Sequence, residues 1–98
     1  PHGQKRFLDI AMVLAMDSKV ILFDEPAAGL NESETNEVRE ILEELRGDYA
    51  ILIVEHDIDL VRAISDRITV LHNGSVLTTD TPENVVQNSQ VKEVYLGE

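Results

Sequence analysis

Two short apolar runs that each end in charged residues dominate the hydrophobic pattern of the chain. Residues 20–23 are Val-Ile-Leu-Phe and precede two carboxylates and a proline at 24–26, while the apolar run 50–54 precedes Glu-His-Asp at 55–57. A continuous apolar run is typical of a strand buried in a parallel sheet, and proline cannot continue the hydrogen-bond ladder. The pattern predicts a buried strand and a second apolar strand parallel to it, whose carboxyl ends carry polar side chains at one sheet edge.

Helices are predicted on both sides of the first strand. In the segment 5–16 the apolar residues follow one another so closely that this helix should be buried on nearly every side. A second helix, 32–46, has an apolar stripe on one face and acidic residues elsewhere. Asn31 and Glu34 fit a capping box at its start, and Gly47 fits its stop. This helix joins the strands in a βαβ unit, which is expected to be parallel and right-handed.

The part of the chain after residue 57 predicts only short elements: a helix, a β-hairpin and two more helices. Asp57 fits the cap of the first of these helices, and Asn73-Gly74 is a strong signal for the hairpin turn. Thr81 followed by Pro82 fits the start of the next helix. The expected strands and the last helix cover residues 68–71, 75–78 and 91–96.

The composition restricts the class of protein. With 98 residues, of which 43% are hydrophobic and 28% charged, the chain is expected to be one small globular α/β domain or part of one. Its 8 basic and 19 acidic residues give a net charge of −11, which argues against a nucleic-acid-binding surface and against docking on anionic lipid. The absence of cysteine excludes a disulfide framework, and no apolar run approaches the roughly 20 residues of a membrane span.

The acidic pair Asp24 and Glu25 has two interpretations. At the carboxyl end of a parallel strand, one carboxylate would suit Mg²⁺ on a nucleotide and the other an attacking water. Alternatively, the strand ends in two solvated acids. The βαβ order favours a site, because it brings His56 to the same sheet edge as the acidic pair.

These motifs occur in the order found in the nucleotide-binding subunits of ABC transporters. The whole chain, residues 1–98, resembles the C-terminal portion of one such nucleotide-binding domain. Gly3 and Gln4 resemble the end of the signature motif, 20–25 the Walker B strand, 27–31 the D-loop and 54–57 the switch-histidine strand end. The sequences AAGLN, VLHNGSVL and VKEVYLGE are similar to those of branched-chain amino acid and urea importers, and His2 favours the urea type. The resemblance implies an α/β fold with part of a P-loop-NTPase-like parallel sheet, flanking helices and a C-terminal β-hairpin.

The resemblance also implies catalytic roles. Glu25 would act as the general base that orients and deprotonates the attacking water. Asp24 would hold Mg²⁺, largely through coordinated water. His56 would contact the γ-phosphate of ATP and the water.

Three more residues would contact nucleotide across a dimer. Gly3 and Gln4 would lie at a helix N-terminus, where free N–H groups attract phosphate, and would reach the ATP held by the opposite subunit. Asn31 stands where the family usually has aspartate, so its contact across the dimer would be a neutral hydrogen bond. Pro1 and His2 depart from the usual serine and glycine of the signature motif. Since proline has no amide hydrogen, direct contact with the γ-phosphate is in doubt at this position.

No G-x-x-x-x-G-K-[ST] phosphate loop occurs in the sequence, so the 98 residues alone are expected neither to bind nor to hydrolyse ATP. The implied activity belongs to a longer subunit. Two such subunits would hydrolyse MgATP and drive import through transmembrane permease subunits at the cytoplasmic face of the cell membrane.

Two alternatives remain open. In the first, the chain acts as a non-enzymatic module that oligomerises through apolar surface left exposed by missing sheet neighbours. In the second, the chain belongs to a related protein used in DNA repair or translation. The importer-like C-terminal sequence disfavours this second alternative.

Overall fold

A computed structural model describes residues 2–97, which form two compact units divided between Ile64 and Ser65. The first unit contains, in chain order, α1 (His2–Leu14), β1 (Val20–Asp24), α2 (Glu32–Leu45), β2 (Ala50–Val54) and α3 (Ile58–Ile64). The strands β1 and β2 pair in parallel, from Val20 opposite Ala50 to Asp24 opposite Val54. The predicted βαβ unit is therefore present, and both strands end at the same edge.

One apolar core holds the first unit together. It includes residues from every helix of this unit and from one face of β1: Ile10, Ile21, Phe23, Val38, Leu42, Leu60 and Ile64. Fully burying one such side chain contributes about 1.5–3 kcal/mol. The stripe predicted for α2 forms part of this core, since Val38 and Leu42 are fully buried.

The prediction that β1 is buried on both faces was wrong. Ile21 and Phe23 point into the core, but Leu22 on the other face is 69% exposed. In β2, Leu52 lies opposite Leu22 and is 60% exposed. We call the surface formed by Val20, Leu22, Leu52 and Val54 the open sheet face.

The prediction that the first helix is buried nearly all round was also wrong. It runs from His2 to Leu14 rather than over 5–16. Only one side of it, which includes Ile10, contributes to the core. Leu8, Met12 and Met16 are exposed, and their four-residue spacing places Leu8 and Met12 on the same side of the helix. The exposed apolar surface expected from missing neighbours is thus found on both the sheet and α1.

Local signals at the helix ends were read correctly, with one exception. The capping box of α2 is present: the side chain of Asn31 accepts from the Glu34 amide, and the Glu34 carboxylate accepts from the Asn31 amide. The Asp57 carboxylate likewise accepts from the Leu60 amide at 3.1 Å at the start of α3. The helix α2 stops at Leu45 with Arg46 as its C-cap, so Gly47 follows the cap as predicted, but it lacks the positive φ of a typical glycine stop.

The second unit is a β-hairpin followed by short helices. Its elements are β3 (Ile68–His72), β4 (Ser75–Asp80), α4 (Pro82–Gln87) and α5 (Ser89–Val91), and a π-helical turn (Lys92–Leu96) continues α5. Asn73 and Gly74 adopt positive φ angles of 50° and 78°, as the type I′ turn of a tight hairpin requires. The Tyr95 hydroxyl donates to the Leu71 carbonyl and joins the π-helical turn to the hairpin. Among residues 2–97, none of the helices has the length and apolar character needed to cross a bilayer.

Candidate functional site

Glu25 and His56 meet where the two parallel strands end. Glu25 directly follows β1, His56 follows β2 after one residue, and Oε1 of Glu25 lies 2.9 Å from Nδ1 of His56. Both side chains face solvent, with 49% of the Glu25 side chain and 76% of the His56 side chain exposed. The pair is therefore open to a ligand, and the expectation that the βαβ unit brings these residues together is confirmed.

The backbone at Glu25 has the left-handed conformation, with φ of 49°. For a residue other than glycine this conformation costs about 1–2 kcal/mol, and it turns the chain sharply out of the strand. Three contacts hold it, one of which is the bond that the Ala28 amide donates to the Glu25 carbonyl at 3.0 Å. The Glu25 amide donates to the Val54 carbonyl at 2.7 Å, and the Glu25 carbonyl accepts from Nη1 of Arg6 at 3.0 Å.

Glu55 directly precedes His56 and binds main-chain amides of the loops after β1 and β2. Its Oε2 accepts from the Ala27 amide at 3.1 Å, and its Oε1 accepts from the His56 amide at 3.0 Å and from the Asp57 amide at 3.4 Å. Only 1% of the Glu55 side chain is exposed. A buried carboxylate is tolerated where N–H donors compensate its charge, and these amides supply that compensation.

The donor atoms of Glu25, Glu55 and His56 lie within 4.8 Å of one another and form a group that could hold a metal ion. Glu55 is poorly placed as a ligand, because its carboxylate already accepts backbone hydrogen bonds and is closed to solvent. Asp24, the predicted magnesium ligand, is not part of this group. It ends β1 on the exposed side of the strand, opposite Val54.

Gly3 and Gln4 lie in the first turn of α1, as predicted. Gly3 is buried and Gln4 is exposed. A Cβ atom at position 3 would overlap Oε2 of Glu34, so the end of the Glu34 side chain would have to move if position 3 were not glycine. Pro1 and the side chain of His2 lie outside the described residues.

Asn31 is held within its own helix. Its side-chain Oδ1 accepts from the backbone amide of Glu34 at 2.8 Å, and its backbone amide donates to Oε1 of Glu34 at 3.1 Å. The described contacts of Asn31 are those of a helix cap, and a role across a dimer remains a prediction.

Sequence reasoning missed Arg6 and Glu55. The guanidinium of Arg6 binds two main-chain carbonyls, those of Glu25 and Ala28. Backbone groups look the same in every sequence, so nothing in the residue pattern indicates these contacts. The only available signal was position: Arg6 lies two residues after the signature-like Gly3-Gln4, and Glu55 directly precedes His56.

Sequence relatives place the chain in a family. Over 99 aligned residues it is 44% identical to LivG of Escherichia coli K12, a high-affinity branched-chain amino acid transport ATP-binding protein, covering 99% of this chain and 39% of LivG. It is 36% identical over 97 residues to LptB of Haemophilus influenzae, a lipopolysaccharide export system ATP-binding protein, covering 98% of this chain and 40% of LptB. Over almost its whole length, this chain is homologous to ATP-binding proteins of ABC transporters. No protein-family model matches it, and it spans about two fifths of the length of these relatives.

Solved structures agree with this assignment and with the predicted fold class. The ADP conformation of MJ1267, an ATP-binding cassette of an ABC transporter, matches with a TM-score of 0.82 and 30% identity, over 98% of this chain and 40% of that one. The cbiO1 protein of Clostridium perfringens, part of the ABC transporter complex cbiONQ, matches with a TM-score of 0.79 and 36% identity, over 96% and 39%. A dimeric cassette, MJ0796 bound to ADP and Pi, matches with a TM-score of 0.71 and 28% identity, over 82% and 35%. The α/β architecture is thus that of ABC ATPase domains.

Proposed function

We propose that this chain is the C-terminal portion of the ATP-binding subunit of an ABC importer, and that it supplies the residues that activate the attacking water. The observation that supports this most directly is the 2.9 Å contact between Glu25 and His56 at the carboxyl ends of adjacent parallel strands. A nucleotide in such a sheet binds at this edge. The phosphate loop would come from a part of the subunit outside these 98 residues.

In this proposal Glu25 is the general base. Its carboxylate is half exposed, so it can reach a water bound beside the γ-phosphate. His56 holds one oxygen of this carboxylate through Nδ1, which fixes the direction of the other. The more exposed imidazole of His56 is then placed to contact the phosphate itself.

Asp24 fits the needs of Mg²⁺. This ion takes oxygen ligands and usually keeps several waters, with one or two carboxylates and the substrate phosphates completing its shell. The Asp24 carboxylate is exposed at the end of β1, next to Glu25 in the chain. When bound, the ion would neutralise charge on the phosphates, while Asp24 holds it directly or through water.

The surfaces of the first helix and of the loop after β1 are proposed to meet a second ATP-binding subunit. Gly3 and Gln4 would bring the amino end of α1 to the nucleotide of that subunit, and Asn31 would lie at the same contact. The dimeric state of MJ0796 supports this arrangement. Transmembrane permease subunits would be the other partners, with the assembly at the cytoplasmic face of the cell membrane.

For the transported substrate we propose branched-chain amino acids, with urea as the alternative within the same importer group. The higher identity to LivG, 44% against 36% for LptB, supports an importer over a lipopolysaccharide exporter. The ATP-binding subunit does not itself determine the substrate, so transport assays with the partner permease are needed to separate the two solutes.

The decisive experiment uses the subunit that contains this chain together with a phosphate loop. Glu25→Gln should abolish ATP turnover while nucleotide binding is retained, because the amide keeps the shape of the side chain but cannot accept the proton. Glu44→Gln is the matched control, since Glu44 is exposed on α2, and it should leave turnover unchanged. Substantial turnover by Glu25→Gln, or a reading frame that encodes no phosphate loop upstream of Pro1, would contradict the proposal.

A second function, self-association without catalysis, is favoured by the open sheet face. Contiguous exposed apolar surface commonly marks an interaction site, and Leu22 and Leu52 lie side by side on it. Sedimentation of the 98-residue chain tests this: association that Leu22→Lys abolishes supports the module, and a monomer at all concentrations excludes it. Tight binding of MgATP by the 98 residues alone would contradict both functions, because each assumes that these residues lack a complete nucleotide site.

A further inference from the structure

We infer that Glu55 is a positioning residue that holds the Glu25–His56 pair in register by binding the backbone on both sides of it. This inference rests on the proposed function for its effect on ATP hydrolysis, but not for its structural content. Glu55 joins two separate segments. Its Oε2 accepts from Ala27, in the loop after β1, and its Oε1 accepts from His56, in the loop after β2.

The hydrogen bonds of Glu55 are of a kind that can hold the two loops at a fixed distance. A charged acceptor forms shorter and stronger hydrogen bonds to N–H groups than a neutral one does. Both oxygens of Glu55 are used, and they bind amides of two different loops. Movement of either loop away from the other would therefore break at least one bond to a buried charge.

Burial separates the role of Glu55 from that of its neighbours. The Glu25 and His56 side chains are 49% and 76% exposed, whereas the Glu55 side chain is 1% exposed. A carboxylate so enclosed does not reach a ligand in solution. It acts on the site through the main chain of residues 27, 56 and 57, and its Oε1 also lies 3.6 Å from Nδ1 of the His56 ring.

A second contact between the same two segments makes the contribution of Glu55 separable. The Glu25 amide donates to the Val54 carbonyl at 2.7 Å and does not involve Glu55. When Glu55 is removed, this bond and the β1–β2 ladder are retained. The expected change is thus local, at Ala27 and His56, rather than a loss of the fold.

Hydrogen exchange followed by NMR on the 98-residue chain tests the structural part. In Glu55→Ala, exchange of the Ala27 amide should rise about tenfold or more, since its acceptor is lost. The Glu25 amide and the ladder amides of β2 should change by less than about twofold. Glu55→Gln should give an intermediate rise, because the amide group keeps one acceptor oxygen but presents an NH₂ to the other N–H donors. The exposed Glu44→Ala is the control and should alter none of these amides.

ATP turnover by the subunit that contains this chain tests the functional part. Glu55→Gln should lower kcat by about tenfold while the KM for MgATP stays within about twofold, because misplacing a reacting group costs rate more than binding. If the unmodified subunit does not hydrolyse ATP, the proposed function fails, while the exchange data still decide whether Glu55 holds the two loops. Exchange at Ala27 that does not change, an equal rise at every amide, or wild-type kcat in Glu55→Ala would each overturn the inference.

Discussion

The side chain of Arg6 and the main chain of Glu25 are joined by a hydrogen bond: Nη1 donates to the Glu25 carbonyl at 3.0 Å. Nη2 of the same guanidinium donates to the Ala28 carbonyl at 3.2 Å. The planar fork of arginine can bind two acceptors at fixed spacing. The first helix is thereby connected to the loop that carries the proposed general base.

Replacing Arg6 with lysine should weaken this connection. A single ammonium group does not reproduce the two directions of the guanidinium fork, and one charged hydrogen bond is worth about 1.5–3 kcal/mol. Because Arg6 is half-buried, we expect Arg6→Lys to lower the free energy of unfolding by about 1 kcal/mol, measured from the urea midpoint. Arg39→Lys is the control, since Arg39 pairs with Glu43 one helical turn away, and its effect should stay below about 0.5 kcal/mol. Equal effects of the two variants would contradict the role given to Arg6.

The close approach of Gly3 to Glu34 predicts that Gly3→Ala destabilises the chain when Glu34 is present and stabilises it when Glu34 is replaced by alanine. A Cβ at position 3 overlaps the Glu34 carboxylate, which must move and give up its bond to the Asn31 amide. Gly3→Ala should therefore destabilise the chain by about 1 kcal/mol, as loss of a cap does. In a Glu34→Ala background the overlap is gone, and Gly3→Ala should instead stabilise by about 0.5 kcal/mol, because alanine favours helix. Thermal unfolding of the four proteins in this cycle tests the reversal, and additive effects would exclude it.

Burial distinguishes two leucines of the first unit. Leu42 is 1% exposed in the core and Leu22 is 69% exposed on the open sheet face. Leu42→Ala should cost about 2–5 kcal/mol of unfolding free energy, whereas Leu22→Ala should cost less than about 1 kcal/mol. The measurement is urea unfolding of both variants at a concentration where the chain is monomeric. A large cost at Leu22 under these conditions would contradict its exposure in the monomer.

Asp80 makes part of the stability of the hairpin unit depend on pH. The side-chain bond from Asn84, the Thr81 amide and the charge of Arg67 together hold the pKa of Asp80 below its usual range. Since the folded pKa lies below the unfolded one, the stabilising contribution is present above pH of about 4 and is lost as the pH falls through the folded pKa. Carboxyl ¹³C titration by NMR should give a midpoint below that of a free aspartate. Asn84→Ala should move it upward, and a midpoint that ignores this variant would contradict the cause assigned.

Local chemistry made much of the fold predictable. Asn31 with Glu34, Asp57, and Asn73 with Gly74 are short-range signals whose partners lie within three residues, and each has the predicted role. The acidic strand end and His56 could be combined because parallel strands bring their carboxyl ends together. The contacts of Arg6 and Glu55 could not be predicted, because their partners are backbone groups. Arg6 binds the carbonyl of Ala28 and Glu55 binds the amide of Ala27, and each partner lies more than 20 residues away.

The exposure of the strands shows a different limit of sequence reasoning. A continuous apolar run indicates that both faces of a strand suit burial, but it does not say what covers them. In the first unit the core includes Ile21 and Phe23, while the open sheet face, which includes Leu22, remains exposed. The sequence therefore predicted the character of β1 correctly and its surroundings incorrectly.

At Glu25 the left-handed backbone conformation lowers thermal stability, while the carboxylate is needed for the proposed catalysis. Glycine would adopt φ of 49° without the cost borne by glutamate, so Glu25→Gly should raise the melting temperature while removing the carboxylate. A laboratory library selected only for resistance to heat or protease should therefore enrich glycine or asparagine at position 25. A library selected for the proposed transport activity should keep glutamate, and sequencing the two pools would show directly which demand this residue serves.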